Sequence, residues 1–313
     1  MASRIRSIRI LPALCLLLAG GATAKQIRVT VSGFSFSPAN VTINAGDHVV
    51  WVWNGGTHNV VSGDGSTSLP DGVFISGAPG GAPLTFSWKS GGVATQPYYC
   101  ELHAPGMVGT INVVASGATG LSDFRITEVQ YNAAGNLDLI EITNLGSAGN
   151  LGRYRLVVSG FATQILQVTA GSPDIAVAAG GQVVIHCNTT GTNTTTNLFL
   201  SAITDLPANG SIGLYVPNTA SPSLALPSQI IDFVQWGAGG QANEATAVTA
   251  NLWATSAAVA TVAGGSSIEY CAQPGQYGAA YWHSNPTPNF GTGENCLVPT
   301  FSTTWGRIKT LYR

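Results

Sequence analysis

The chain has 313 residues, above the ordinary single-domain size, so two domains are the natural reading. Only 8% of it is charged, against roughly 25% in an average soluble domain, while Gly (39) and Pro (16) abound; this excludes long helices, whose exposed faces need charge, and suits short strands joined by tight turns. A formal net charge of −2 excludes nucleic acid and anionic membrane as electrostatically attracted partners.

The N-terminus reads as an export signal. Arg4, Arg6 and Arg9 form a basic start, Ile10 to Leu18 is a short apolar core, and Ala22-Thr23-Ala24 is an A-x-A cleavage site. Residues 1–24 are then a signal peptide, and the mature chain begins at Lys25 in the periplasm, the medium or the cell surface. The apolar run is too short to span a bilayer, and no later stretch reaches about 20 apolar residues, so the mature chain carries no transmembrane segment.

Residues 25–116 read as a first β-sandwich. Ile27, Val29 and Val31 alternate with polar residues in Gln26–Val31, the period of a half-buried strand. Val41–Ile43 repeats the pattern, Ala45-Gly46-Asp47 makes a turn, and Val49–Trp53 is an aromatic and β-branched strand. After a Gly-rich middle come strands at Leu84–Trp88, Pro97–Cys100 and Thr110–Val114.

Ala115–Leu121 is a small-residue linker. Beyond it, Phe124–Gln130, Leu137–Asn144, Tyr154–Ser159, Gln182–His186, Ser211–Val216, Ile230–Trp236 and Ser267–Tyr270 are strand candidates, and no window carries a sustained helical period. A second sandwich over 121–298 follows, then a short basic tail over 299–313. The fold class is therefore all-β with two sandwich domains.

Export leaves Cys100, Cys187, Cys271 and Cys296, enough for two disulfides in an oxidising compartment. Cys100 is set apart by the residues around it. Cys271 and Cys296 frame one C-terminal stretch and make the candidate bridge, leaving Cys187, in an apolar run, as a buried free thiol.

Cys100, His103 and Met107 fall within one Cys-x2-His-x3-Met segment between two strands, and His58 follows the Val49–Trp53 strand. A thiolate, two imidazoles and a weak axial thioether suit copper in both oxidation states. Each residue alone has an ordinary explanation: a bridged Cys, a core Met, a surface His. Their combination at this spacing reads as one type 1 copper per chain, with His58, Cys100, His103 and Met107 as ligands. His48 lies ten residues and a whole strand from His58 and reads as a surface histidine. The chain contains no His-x-His pair, as a multicopper oxidase would need, and only one cysteine in the loop, where a dinuclear purple centre needs two. With four protein ligands no position stays open for substrate, which argues against an enzyme.

Residues 34–61 (FSFSPANVTINAGDHVVWVWNGGTHNVV) and 98–114 (YYCELHAPGMVGTINVV) resemble the two signature stretches of plastocyanin-like cupredoxins. The resemblance implies a Greek-key sandwich, the same four ligands, and Asn59 as a residue that holds the ligand loop. The His103-to-Met107 spacing falls between the shorter and longer loops of that family. Residues 124–144, IDFVQWG at 231–237 and NPTPNFG at 285–291 resemble the bacterial lamin-tail domain, which implies an immunoglobulin-like module for surface display or partner binding. The remaining carboxylates Glu128, Asp138, Glu141, Asp232 and Glu269 read as spread along strand edges. The expected function is single-electron transfer between redox protein partners, with the second sandwich meeting a cell-surface component. A copper store that never cycles and a structural or adhesive surface protein are the competing expectations.

Overall fold

The computed structural model describes residues 24–170, 174–271 and 275–293. Residues 1–23 of the expected 1–24 signal peptide, the expected tail 299–313 and Cys296 lie outside the described residues. Among the described residues the chain is built from 23 strands, three short helical turns and connecting loops.

The first sandwich has two sheets. Strands β1 (Gln26–Ser32), β2 (Ser35–Ser37), β4 (His48–Trp53) and β9 (Thr85–Lys89) lie in the order β2-β1-β4-β9, with β1 parallel to β4. Strands β3 (Asn40–Asn44), β6 (Val61–Asp64), β7 (Leu69–Ile75), β10 (Ala94–Tyr99) and β11 (Val108–Val114) form the order β3-β11-β10-β6-β7. The pair β5 (Thr57–His58) and β8 (Gly80–Gly81) closes one end. Val29, Val31, Val49, Trp51, Ile111 and Val113 fill the space between the sheets, the outcome of period-two burial on facing strands.

The second sandwich sets β12 (Phe124–Gln130), β13 (Leu139–Asn144), β18 (Gln182–Cys187), β19 (Asn197–Leu200), β22 (Ser267–Tyr270) and β23 (Trp282–Asn285) in one sheet. Facing it are β15 (Arg155–Val158), β16 (Gln164–Ile165), β20 (Gly210–Tyr215) and β21 (Ile230–Trp236), with a small pair β14 (Gly149–Asn150) and β17 (Ala176–Val177) beside them. One turn of helix, α1 (Glu244–Thr249), departs from the all-strand expectation; Ala247 anchors it to the core, and six residues are too few to leave a periodic signature.

Strand β4 joins the two sandwiches. Its odd residues Val49, Trp51 and Trp53 enter the first core, while Val50 and Val52 enter the second. All six of its residues are therefore buried. Around it, His48 Nε2 meets Ser228 O at 2.7 Å, Thr219 and Ala220 amides both donate to Thr85 O at 3.0 Å, and Arg28 pairs with Asp174 at 2.9 Å. His48 is thus not a surface histidine: the second sandwich covers its face of the sheet, and it is wholly buried.

The acidic residues of the second sandwich are also placed differently from the strand-edge expectation. Glu128 sits opposite Glu141 on one side and Glu269 on the other, in the middle of the six-stranded sheet, and all three are buried. Glu141 accepts from Thr127, at 2.6 Å, and from the Gly291 amide, at 2.8 Å; Glu128 accepts from Asn285, at 3.1 Å. The 285–291 segment closes over this face and replaces water as the donor. Cys187 is a buried free thiol, its pKa pushed up to about 12 by burial and then by Asp138. Cys271 is disulfide-bonded. Trp236, Trp253 and Trp282 are core residues.

Candidate metal centre

His58 reaches the site because β4 ends at Trp53 and the chain reverses through Asn54-Gly55-Gly56 into β5. Gly56 has φ +76°, a left-handed conformation that a side chain adopts only with strain, and a Cβ there would lie 2.2 Å from His58 Nε2. The imidazole therefore rests against bare backbone. Trp53 Nε1 donates to His58 O at 3.0 Å, so the core aromatic of β4 holds the backbone that carries the ring.

Cys100 follows directly on β10, and the turn from Cys100 to Met107 is tied to itself. The His103 amide donates to Cys100 O at 3.1 Å, the Met107 amide to His103 O at 2.9 Å, and the Cys100 amide to Met107 O at 3.1 Å. These bonds turn His103 back toward Cys100 and bury Met107 in the same apolar cluster as Cys100.

Three donor atoms converge. His58 Nδ1 lies 3.2 Å from His103 Nδ1, Cys100 Sγ lies 3.4 Å from His103 Nδ1, and Cys100 Sγ lies 3.9 Å from His58 Nδ1. A trigonal set bound at ordinary nitrogen and sulfur ligand lengths has its donors about 3.5–4 Å apart, close to this spacing. Two imidazole nitrogens and a sulfur facing one point are a borderline-to-soft donor set, and that chemistry is the fit of this arrangement to a metal such as copper. Among the described residues this is the cluster of His, Cys, Asp and Glu side chains able to hold an ion. Burial, followed by the neighbouring His103, holds His58 below the ordinary imidazole range against a raising contribution from the Gly55 backbone. His58 and Cys100 are buried; His103 is partly exposed, with Phe34 edge-on to its ring at 5.0 Å.

Asn59 is fully buried beside the site. Its Oδ1 accepts from the Glu101 amide at 3.0 Å, and its Nδ2 donates to Glu101 Oε2 at 2.6 Å and to Gly77 O at 3.2 Å. Of the residues expected from sequence, the structure brings His58, Asn59, Cys100 and His103 together and sets Met107 at the end of the same loop. His48 lies elsewhere, at the junction of the sandwiches. Glu101, Gly56 and Trp53 were missed; the signal for Glu101 was a carboxylate immediately after the cysteine, and for Gly56 a Gly-Gly pair two residues before the histidine.

The sequence profile of the family described as copper binding proteins, plastocyanin/azurin family, matches residues 23–114. Plastocyanin from Scenedesmus fuscus is 39% identical over 87 residues, covering 25% of this chain and 85% of that protein. Amicyanin from Paracoccus versutus matches as a structure with 23% identity and a TM-score of 0.24, covering 29% of this chain and 83% of amicyanin. A purple cupredoxin from Nitrosopumilus maritimus matches with 24% identity and a TM-score of 0.25, covering 28% of this chain and 98% of the cupredoxin.

Proposed function

Because the chain belongs to the plastocyanin/azurin family of copper-binding proteins through residues 23–114, we propose that it is an exported carrier of single electrons between redox protein partners. Its cofactor is one type 1 copper. The observation that carries the reading is the convergence of His58 Nδ1, Cys100 Sγ and His103 Nδ1, from two separate strand ends, to within 3.9 Å of one another. Met107, buried in the same cluster as Cys100, would complete the ligand set.

Bound copper supplies a one-electron couple. The protein's part is to keep the ligands from moving. Cys100 gives up its proton on binding, His58 is braced by Gly56 and Trp53, and the self-bonded loop sets His103 relative to Cys100. A donor set held in one arrangement needs little reorganisation when charge changes. Partly exposed His103 and its neighbour Phe34 are where an electron enters or leaves. With four protein ligands no position would stay open for substrate, which argues against catalysis at this metal and supports reading the protein as a carrier and not an enzyme.

Export follows from the basic, apolar and A-x-A segments of residues 1–24. Among the described residues no helix is long and apolar enough to cross a membrane. The copper domain is residues 25–116. Residues 121–298 form a lamin-tail-like module that meets a cell-surface component, a reading supported by the motifs at 124–144, 231–237 and 285–291. Cys296 is the partner of Cys271.

The test is spectroscopic. Adding Cu(II) to the mature protein should give the intense blue absorption of a thiolate–copper bond, and Cys100→Ser should abolish it. A colourless wild type overturns the copper assignment. Voltammetry then separates a carrier from a store: copper that is released on reduction, or cannot be reoxidised in place, overturns electron transfer while leaving copper binding standing.

A further inference from the structure

The loop residue after Cys100 is a carboxylate engaged with the buried side chain beneath the site. Glu101 and Asn59 bond reciprocally, amide to Oδ1 at 3.0 Å and Nδ2 to Oε2 at 2.6 Å. The first bond needs only a backbone and would form with any residue at 101. The second needs an acceptor side chain, and here that acceptor is a carboxylate. Asn59 Nδ2 also donates to Gly77 O, so the amide is fixed from two directions and the carboxylate is held against it.

We propose that Glu101 is a positioning residue that lowers the reduction potential of the copper centre, its carboxylate held against Asn59 at the base of the ligand loop. The inference rests on the copper reading above. A fixed negative charge next to the ligand loop favours the more highly charged oxidised metal over the reduced one, so it opposes reduction. Glu101 is itself exposed, and solvent screens it, which sets the scale at about three- to tenfold in the equilibrium between the two states. A free surface carboxylate would move away from the metal with little effect. The bond from Asn59 Nδ2 holds the carboxylate in place.

The experiment separates charge from clamp. Glu101→Gln keeps an acceptor for Asn59 Nδ2 and removes the charge; Glu101→Ala removes both. In full-length copper-loaded protein, Glu101→Gln should keep the blue absorption and raise the midpoint potential by the equivalent of three- to tenfold, where tenfold is 59 mV for one electron. In the metal-free protein, proton exchange of the Asn59 side-chain amide should stay as slow in Glu101→Gln as in wild type and quicken in Glu101→Ala. A potential in Glu101→Gln equal to wild type, with the blue band intact, overturns the role of the charge and leaves the copper reading standing. Amide exchange unchanged in Glu101→Ala overturns the clamp. Absence of the blue band from wild type is a failure of the copper reading itself.

Discussion

His48 and His58 lie ten residues apart and meet opposite environments. His58 faces other donors at the end of the first sandwich, while His48 is sealed between sandwiches with Ser228 O as its partner. Burial, with a smaller contribution from Lys89 against the Ser228 bond, lowers the His48 pKa to about 4. The unfolded chain binds a proton near the ordinary 6.5 and the folded chain does not, so His48's contribution to stability is complete above 6.5 and is lost as pH falls toward 4. Denaturant midpoints measured from pH 7 to 4 should fall less in His48→Gln than in wild type; parallel curves would refute this. Glu128 works in the other direction. Burial, with Glu141 and Glu269 adding to it against the Ser267 hydrogen bond, raises its pKa to about 7. The unfolded carboxyl releases its proton near 4.5, so stability falls as pH rises from about 4.5 to 7. Glu128→Gln should flatten that limb, and an unaltered slope counts against the assignment. The two effects oppose each other in wild type, which is why the variants are needed. At the metal centre, Gly56→Ala should abolish or sharply weaken Cu(II) binding, because its Cβ occupies the place of the His58 ring. Retention of wild-type copper affinity would show that the ring has another place to go.

Strand β4 carries two tasks on its two faces. Its Trp53 face supports His58, and its Val50 face is part of the second sandwich's core. Alternation keeps the tasks separate. Val50→Ala should lower the stability of the chain by roughly 2 kcal/mol through lost burial and a small cavity, while the blue absorption stays unchanged because Val50 points away from the copper. A spectral change in Val50→Ala would mean that strain crosses the strand. The strands themselves were largely legible in sequence. Phe124–Gln130, Ile230–Trp236 and Ser267–Tyr270 fall where alternation and β-branched content placed them. The segment from Thr57 to Gly81 was not legible: β7 has one buried residue in seven, and β5 and β8 are two residues each, so no periodic burial marks them.

The two sandwiches form a continuous packed arrangement through β4, the Thr85–Thr219 bonds and the backbone pairing of Gln26 with Ser122. Cutting the chain after residue 116 would expose Val50, Val52 and His48 and leave Thr85 without its partners. A fragment of residues 25–116 should therefore unfold at a lower temperature than residues 25–313, with thermal unfolding of both proteins as the measurement. Equal midpoints would show that the second sandwich adds nothing to the first.

Sequence alone determined the all-β class and gathered Cys100, His103 and Met107 into one loop, with His58 upstream. It did so because a strand writes its burial every second residue, and because three of the four expected ligands are close in the chain. Tertiary structure alone decided the rest. Whether His48 meets water depends on a loop 180 residues away. Whether Glu128 lies at an edge or in the middle of a sheet depends on which strands flank β12. Glu101 gains its partner only when β5 and the end of β10 come together. Burial and hydrogen-bond partners are properties of distant segments meeting, and local periodicity holds no record of them.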